Sequence, residues 1–375
     1  MLLKNGKILN ENFVLGNRDI YAENGKIAFS GNSCDVIDIT GLTVIPGLID
    51  IHAHGYNGKH TPECTYEELN GLCSEIIKQG ITGMLATTSS MTNEQYKFAV
   101  TTAKEAMEKG TDGAEILGIY LEGPYLNAEF KGGMIEENIR KFDKDEFLEL
   151  VKLSGNNVKI ITIAPEIEGN LEGIKTIVES GVIASIGHTG ATADEATAGI
   201  EAGISNATHL FNAMTGLKHR EPGVVGAVFD SDITAELICD GYHVNEKVIR
   251  TAYKVLGRDR LILISDMVPS AGLPEGRYEF EGRTIIVKDG TVKLLDGTID
   301  GNINCLSECV RRVIKFGIPF EDAVYCATHN PAKRIGVLDR KGSIAEGKDA
   351  DLVVVDDSFD IKYVIKNGKI KYKKN

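Results

Sequence analysis

The stretch Pro46-Gly47-Leu48-Ile49-Asp50-Ile51-His52-Ala53-His54-Gly55 is an apolar run that ends in two histidines. In an extended strand alternate side chains share a face, so His52 and His54 project the same way and can offer two imidazoles to one metal ion. A bare His-x-His fits two polar residues at a strand end equally well, so its meaning depends on the rest of the chain.

Downstream, apolar β-rich runs alternate with longer segments of helical spacing. Strands are predicted over 42–51, 81–87, 115–121, 158–164, 182–186, 204–208, 233–239 and 261–265. Helices are predicted over 66–79, 94–109 and 143–153, with Asn93 as the N-cap of the second. Strand–helix alternation implies right-handed parallel units, and eight of them close most naturally into an α/β (β/α)8 barrel of the TIM type. A doubly wound open sheet is the structural alternative.

The two ends of the chain read differently. Asn5-Gly6, Asn24-Gly25 and Asn367-Gly368 each separate short apolar runs, the strongest short-range hairpin signal, and each is followed by Lys-Ile. The shared phrase predicts a small β-sandwich domain built jointly from residues 1–45 and 336–375, with the barrel occupying 46–335.

With 375 residues, 42% hydrophobic and 25% charged, the composition is that of a soluble globular protein. No run approaches the length of a membrane span and no signal-like apolar block opens the chain, so a cytoplasmic location is expected. Seven cysteines without CxxC spacing read as buried free thiols. A formal charge of -13 argues against nucleic acid and anionic membrane as partners, so an anionic substrate would need a local cluster of positive groups.

In such a barrel the chemistry sits at the C-terminal ends of the strands. Those positions carry His52 and His54, Thr88, Glu122, Glu166, His188, His209, Asp240 with His243, and Asp266. Five of the eight histidines fall there. Imidazole and carboxylate donors without thiolate suit Zn, Fe, Mn or Ni, and an incomplete protein ligand set leaves water a place to bind.

These residues carry a resemblance to the amidohydrolase superfamily, and more narrowly to the N-acetylglucosamine-6-phosphate deacetylases. The matching phrases are Leu121-Glu122-Gly123-Pro124, Gly187-His188-Thr189, Thr208 through Met214, His219-Arg220-Glu221-Pro222-Gly223, Asp240-Gly241-Tyr242-His243, Ser265-Asp266 and Gly347 through Leu352. The resemblance implies that Glu122, His188 and His209 hold one divalent metal, with Zn favoured over Fe, Mn, Co or Ni, and that His52 and His54 hold a second when two ions bind. It implies substrate contacts from Gly133, Asn212, Ala213, Arg220, His243, Ile299, Asp300 and Gly301. Arg220 would reach in from a neighbouring subunit, hence a homodimer. Met134 and Asp300 depart from the family's usual residues at those positions.

The expected reaction is hydrolysis of an N-acetyl group on a phosphorylated amino sugar by metal-activated water, with Asp266 shuttling the proton. The planar fork of Arg220 suits a phosphate. The galacto epimer of the sugar, another amide substrate and a non-catalytic metal-binding scaffold are the rival readings. A degenerate scaffold would have lost ligands, and Glu122, His188, His209 and Asp266 are all present.

Overall fold

Gly47 divides the stretch predicted as one strand over 42–51. Thr43–Pro46 pairs with Leu352–Val355 in a sheet built from both chain ends, whereas Leu48–Asp50 (β1) enters the barrel. A Cβ at position 47 would lie 2.2 Å from Thr82 Oγ1, so glycine lets the chain pass close to the next barrel strand as it changes sheets. The computed structural model describes residues 1–33, 35–280 and 282–374. The free-thiol reading of Cys34 lies outside them, while Cys64, Cys73, Cys239, Cys305, Cys309 and Cys326 are free and buried as expected.

The barrel continues through Ile81–Thr88 (β2), Glu115–Leu121 (β3), Val158–Ile163 (β4), Ile183–Ile186 (β5), Asn206–Ala207 (β6), Thr234–Ile238 (β7) and Leu261–Ile264 (β8). Each strand pairs in parallel with the next. The seam between β1 and β8 closes just beyond the strands, where Asp266 N–H donates to His52 O at 2.9 Å and His54 N–H to Met267 O at 2.8 Å. That closure removes the open-sheet alternative. β6 is shorter than the predicted 204–208, and the chain turns out of the ladder at His209, whose φ is +27°.

Helices cover the barrel, among them Tyr66–Ile76 (α1), Asn93–Lys109 (α2), Lys144–Leu153 (α3), Asn170–Glu179 (α4) and Ala193–Ala202 (α5). The N-cap of α2 is Thr92, not Asn93. Thr92 has extended backbone and accepts from Gln95 N–H while Gln95 reaches back, so Asn93 is already the first helical residue. Asp143 caps α3.

The termini form a four-stranded and a six-stranded sheet that share one apolar core. Leu3, Ile20 and Ile27 come from the first sheet, and Ile8, Val44, Leu352, Val354 and Ile365 from the second. Asn24-Gly25 and Asn367-Gly368 are tight hairpin turns with positive φ at both residues. Asn5-Gly6 is not a hairpin, because Leu2–Lys4 and Lys7–Leu9 lie in different sheets. There the glycine serves close packing, since a Cβ would meet Ile39 Cδ1 at 2.5 Å.

After β8 an insertion builds a separate antiparallel sheet of Gly276–Phe280 (β9), Arg283–Lys288 (β10) and Thr291–Leu294 (β11). It has a small core of Ile285, Val287 and Val292. No described helix is long and apolar enough to cross a membrane.

Candidate active site

The ends of β1, β3, β5, β6 and β8 bring His52, His54, Glu122, His188, His209 and Asp266 together at the C-terminal mouth of the barrel. All six are buried. His188, His209 and Asp266 have φ of +47°, +27° and +52°, a left-handed backbone that side chains with a Cβ rarely adopt. Strain concentrated at three converging residues is the mark of a functional site.

Glu122 stands at the centre. Its Oε1 lies 2.8 Å from His209 Nε2, 3.2 Å from His188 Nε2 and 3.3 Å from His52 Nε2, while its Oε2 lies 3.2 Å from His54 Nε2. Asp266 Oδ1 is 3.2 Å from His54 Nε2 and 3.5 Å from His52 Nε2. Two donor groups result, Glu122 with His188 and His209, and His52 with His54 and Asp266.

The chemistry of these donors fits a divalent cation. His52 Nδ1 meets Glu236 Oε2 and His188 Nδ1 meets the Phe130 carbonyl, each at 2.9 Å. Both outer partners are acceptors, which assigns the proton to Nδ1 and turns the Nε2 lone pair inward. Nitrogen then faces nitrogen at 3.1 Å between His188 and His209 and at 3.3 Å between His52 and His54. Burial opposes charge on His52 and His54, yet Glu122 and Asp266 raise His52 well above its ordinary range and His54 to about 9. The site thus favours positive charge, which a metal ion supplies without protons.

Below the donors runs a buried polar chain that the strand-end reading missed. Glu236, midway along β7 and fully buried, takes His52 through one oxygen and Asn206 Nδ2, at 2.7 Å, through the other. Asn206 also donates to Ser185 Oγ at 3.0 Å, and Ser185 meets Thr208 Oγ1 at 2.7 Å. The signal was a carboxylate flanked by Ala235, Leu237 and Ile238 in the middle of the strand Thr234–Ile238. Glu166 does not join the donors. It accepts from Asn127, Thr189 and the Gly190 N–H, tying loops together as a loop residue would.

Above the donors lies a cavity of about 390 Å³ lined by His54, Glu122, His188, His209 and Asp266. Gly133, Met134, Asn212, Ala213, His243, Ile299, Asp300 and Gly301 also line it. His243 Nδ1 sits 2.7 Å from Asp240 Oδ2. Against the opposing effect of burial that carboxylate raises His243 above its ordinary range and is itself held low, so the pairing favours the protonated imidazole at the cavity wall. The amide nitrogen of Asn212 donates to the His209 and Leu210 carbonyls rather than outward. Arg220 does not line this cavity. It lies in an adjoining depression, its Nη1 2.6 Å from His219 Nε2, and Glu221 pairs with Lys218 instead.

Residues 43–371 match the Amidohydrolase family. The chain is 35% identical to an N-acetylglucosamine-6-phosphate deacetylase of Bacillus subtilis (strain 168), over 99% of this chain and 97% of the relative. It is 31% identical to an N-acetylgalactosamine-6-phosphate deacetylase of Escherichia coli O157:H7, over 87% of this chain and 86% of the relative. Among solved structures it superposes, with a TM-score of 0.92 and 30% identity, on a mutant N-acetyl-D-glucosamine-6-phosphate deacetylase from Mycobacterium smegmatis in complex with N-acetyl-D-glucosamine-6-phosphate, covering 100% of this chain and 99% of that one. With two donor groups at the barrel mouth and a match across most of its length, the chain belongs to the amidohydrolase family.

Proposed function

We propose that the protein hydrolyses the N-acetyl group of N-acetylglucosamine 6-phosphate, giving glucosamine 6-phosphate and acetate. The observation that carries this reading is the pairing, in one cavity, of the Glu122-centred donors with His243, whose imidazole is held by Asp240. Glu122, His188 and His209 would hold one ion, and His52 with His54 a second when two bind. A borderline nitrogen and oxygen donor set without thiolate suits Zn. A bound cation supplies Lewis acidity toward the amide carbonyl and makes water a better acid.

The rest of the work falls to side chains. Asp266 is ionised because the imidazoles facing it offset the effect of its burial, so it can take a proton from the attacking water. Water oxygen bonds to the acetyl carbon, the carbon–nitrogen bond breaks, and Asp266 returns the proton to the departing amine. His243, oriented by Asp240, pairs with the phosphate, and the loop of Asn212 and Ala213 shapes that end of the cavity. Gly133, Ile299, Asp300 and Gly301 border the sugar.

Arg220 stands outside its own cavity, which supports a homodimer in which each subunit lends this guanidinium to the other. A cytoplasmic location and a division into a terminal β domain (1–45 with 336–375) and a barrel (46–335) complete the reading.

The test is acetate release by metal-loaded protein from N-acetylglucosamine 6-phosphate, its galacto epimer and unphosphorylated N-acetylglucosamine. The expected order is gluco phosphate, galacto phosphate, then the unphosphorylated sugar. Equal rates with and without phosphate would remove the role given to His243 and Arg220.

A further inference from the structure

One wall of the cavity carries charge that neither the metal donors nor the phosphate end requires. Arg283 of β10 and Asp300, just beyond β11, both line it, and Arg283 Nη1 lies 3.2 Å from Asp300 Oδ1. Their side chains are 23% and 14% exposed, so the pair is largely withdrawn from bulk water while facing the space a ligand would fill.

The surroundings hold Asp300 in place. Its N–H donates to Val292 O at 3.2 Å, which ties it to β11. Two residues on, Asn302 N–H donates to Asp266 O at 2.9 Å, and Asn302 Nδ2 donates to Ser265 O at 3.0 Å. The carboxylate is therefore registered against the backbone that carries Asp266. Gly133 packs directly against it: a Cβ there would lie 2.0 Å from Asp300 Oδ1, so the absence of a side chain is what leaves room for this carboxylate. Fixed side chains on braced backbone are what a selective site needs.

We propose that the Arg283–Asp300 pair binds ring hydroxyls of the sugar and sets which hexose epimer is hydrolysed. A guanidinium already joined to a carboxylate is a poor site for a further anion. Side by side at the cavity wall, the two groups present donor and acceptor atoms together, the combination a hydroxyl uses as acceptor and donor at once. A site built to hydrogen-bond a hydroxyl discriminates against a ligand that misplaces it, because buried polar groups are then left unmatched. This inference rests on the deacetylase reading above and adds Arg283 to it.

The experiment measures kcat and KM for N-acetylglucosamine 6-phosphate, its galacto epimer and unphosphorylated N-acetylglucosamine. It compares wild type with Asp300→Asn, Arg283→Gln and Arg283→Lys, each checked for metal content and melting temperature. Asp300→Asn and Arg283→Gln are expected to raise KM for the preferred epimer about tenfold or more, with kcat changed by less than about threefold, and to shrink the epimer ratio. Arg283→Lys, which keeps the charge, is expected to recover part of the ratio. An epimer ratio unchanged in both neutral variants overturns the proposal, and so does an Arg283→Gln effect that disappears with the unphosphorylated sugar, since that would make Arg283 a phosphate group. Failure of the deacetylase reading would be visible separately, as a wild type that releases acetate from neither phosphorylated epimer.

Discussion

Asp266 combines three properties seldom found together: burial, a left-handed backbone, and an ionised carboxyl held low by facing imidazoles. Replacing it by asparagine keeps shape and size but removes the base. Asp266→Asn is expected to retain the ion held by Glu122, His188 and His209 while kcat falls about a hundredfold or more; metal analysis beside steady-state kinetics checks both halves, and an active variant refutes the shuttle. Glu236 acts one layer further out. Its carboxylate receives the His52 Nδ1 proton, so Glu236→Gln lets the ring adopt the other tautomer or rotate. The expected result is a tenfold to hundredfold loss of affinity, by rough estimate, for an ion at His52 and His54, read by chelator competition, with circular dichroism unchanged.

At the scale of elements, the helix after β5 starts abruptly. Thr192 accepts from Glu195 N–H, and Glu195 reaches back to the N–H and hydroxyl of Thr192, a reciprocal cap four residues beyond His188. Thr192→Ala is expected to cost about 1 kcal/mol of stability with no change in kcat, seen as a lower urea midpoint. Such caps and the strand-end register follow local rules, which is why the barrel, its helices and the donors at its mouth were legible in the sequence. Three features were not, and the first two depend on contacts distant along the chain. The break at Gly47 comes from its approach to Thr82, and the crossing at Asn5-Gly6 from packing on Ile39. The insertion of β9 to β11 follows the eighth strand, where barrel periodicity has ended; its Asp289-Gly290 turn between β10 and β11 is a local hairpin signal of the same kind as Asn24-Gly25 that the reading did not take up. Glu236 escaped because alternation along a strand does not say which inward residue lies beneath a site.

For the whole molecule, the join between barrel and terminal sheets is electrostatic as well as apolar. Glu115, at the start of β3, receives Arg340 at 2.5 Å, Lys341 at 2.9 Å and Lys366 at 3.1 Å. The two lysine side chains are only 2% and 6% exposed. Asp351 also pairs with both lysines, and Asp349 with Arg340 and Lys341. Burial pushes the Glu115 carboxyl upward, but these cations prevail and hold it well below the usual carboxylate range. A depressed native pKa means that the unfolded chain binds the proton more readily. The stabilisation is therefore complete above the unfolded value of about 4.5 and is lost as pH falls toward the native one. Glu115→Gln removes this linkage and leaves Lys341 and Lys366 to the aspartates alone. The variant is expected to be less stable than wild type by about 1–3 kcal/mol near neutral pH, with the gap narrowing toward about pH 3. Denaturant unfolding at several pH values checks it. A gap that stays constant with pH would mean that the carboxylate contributes shape rather than charge, and that apolar packing, not the ion cluster, joins the terminal sheets to the barrel.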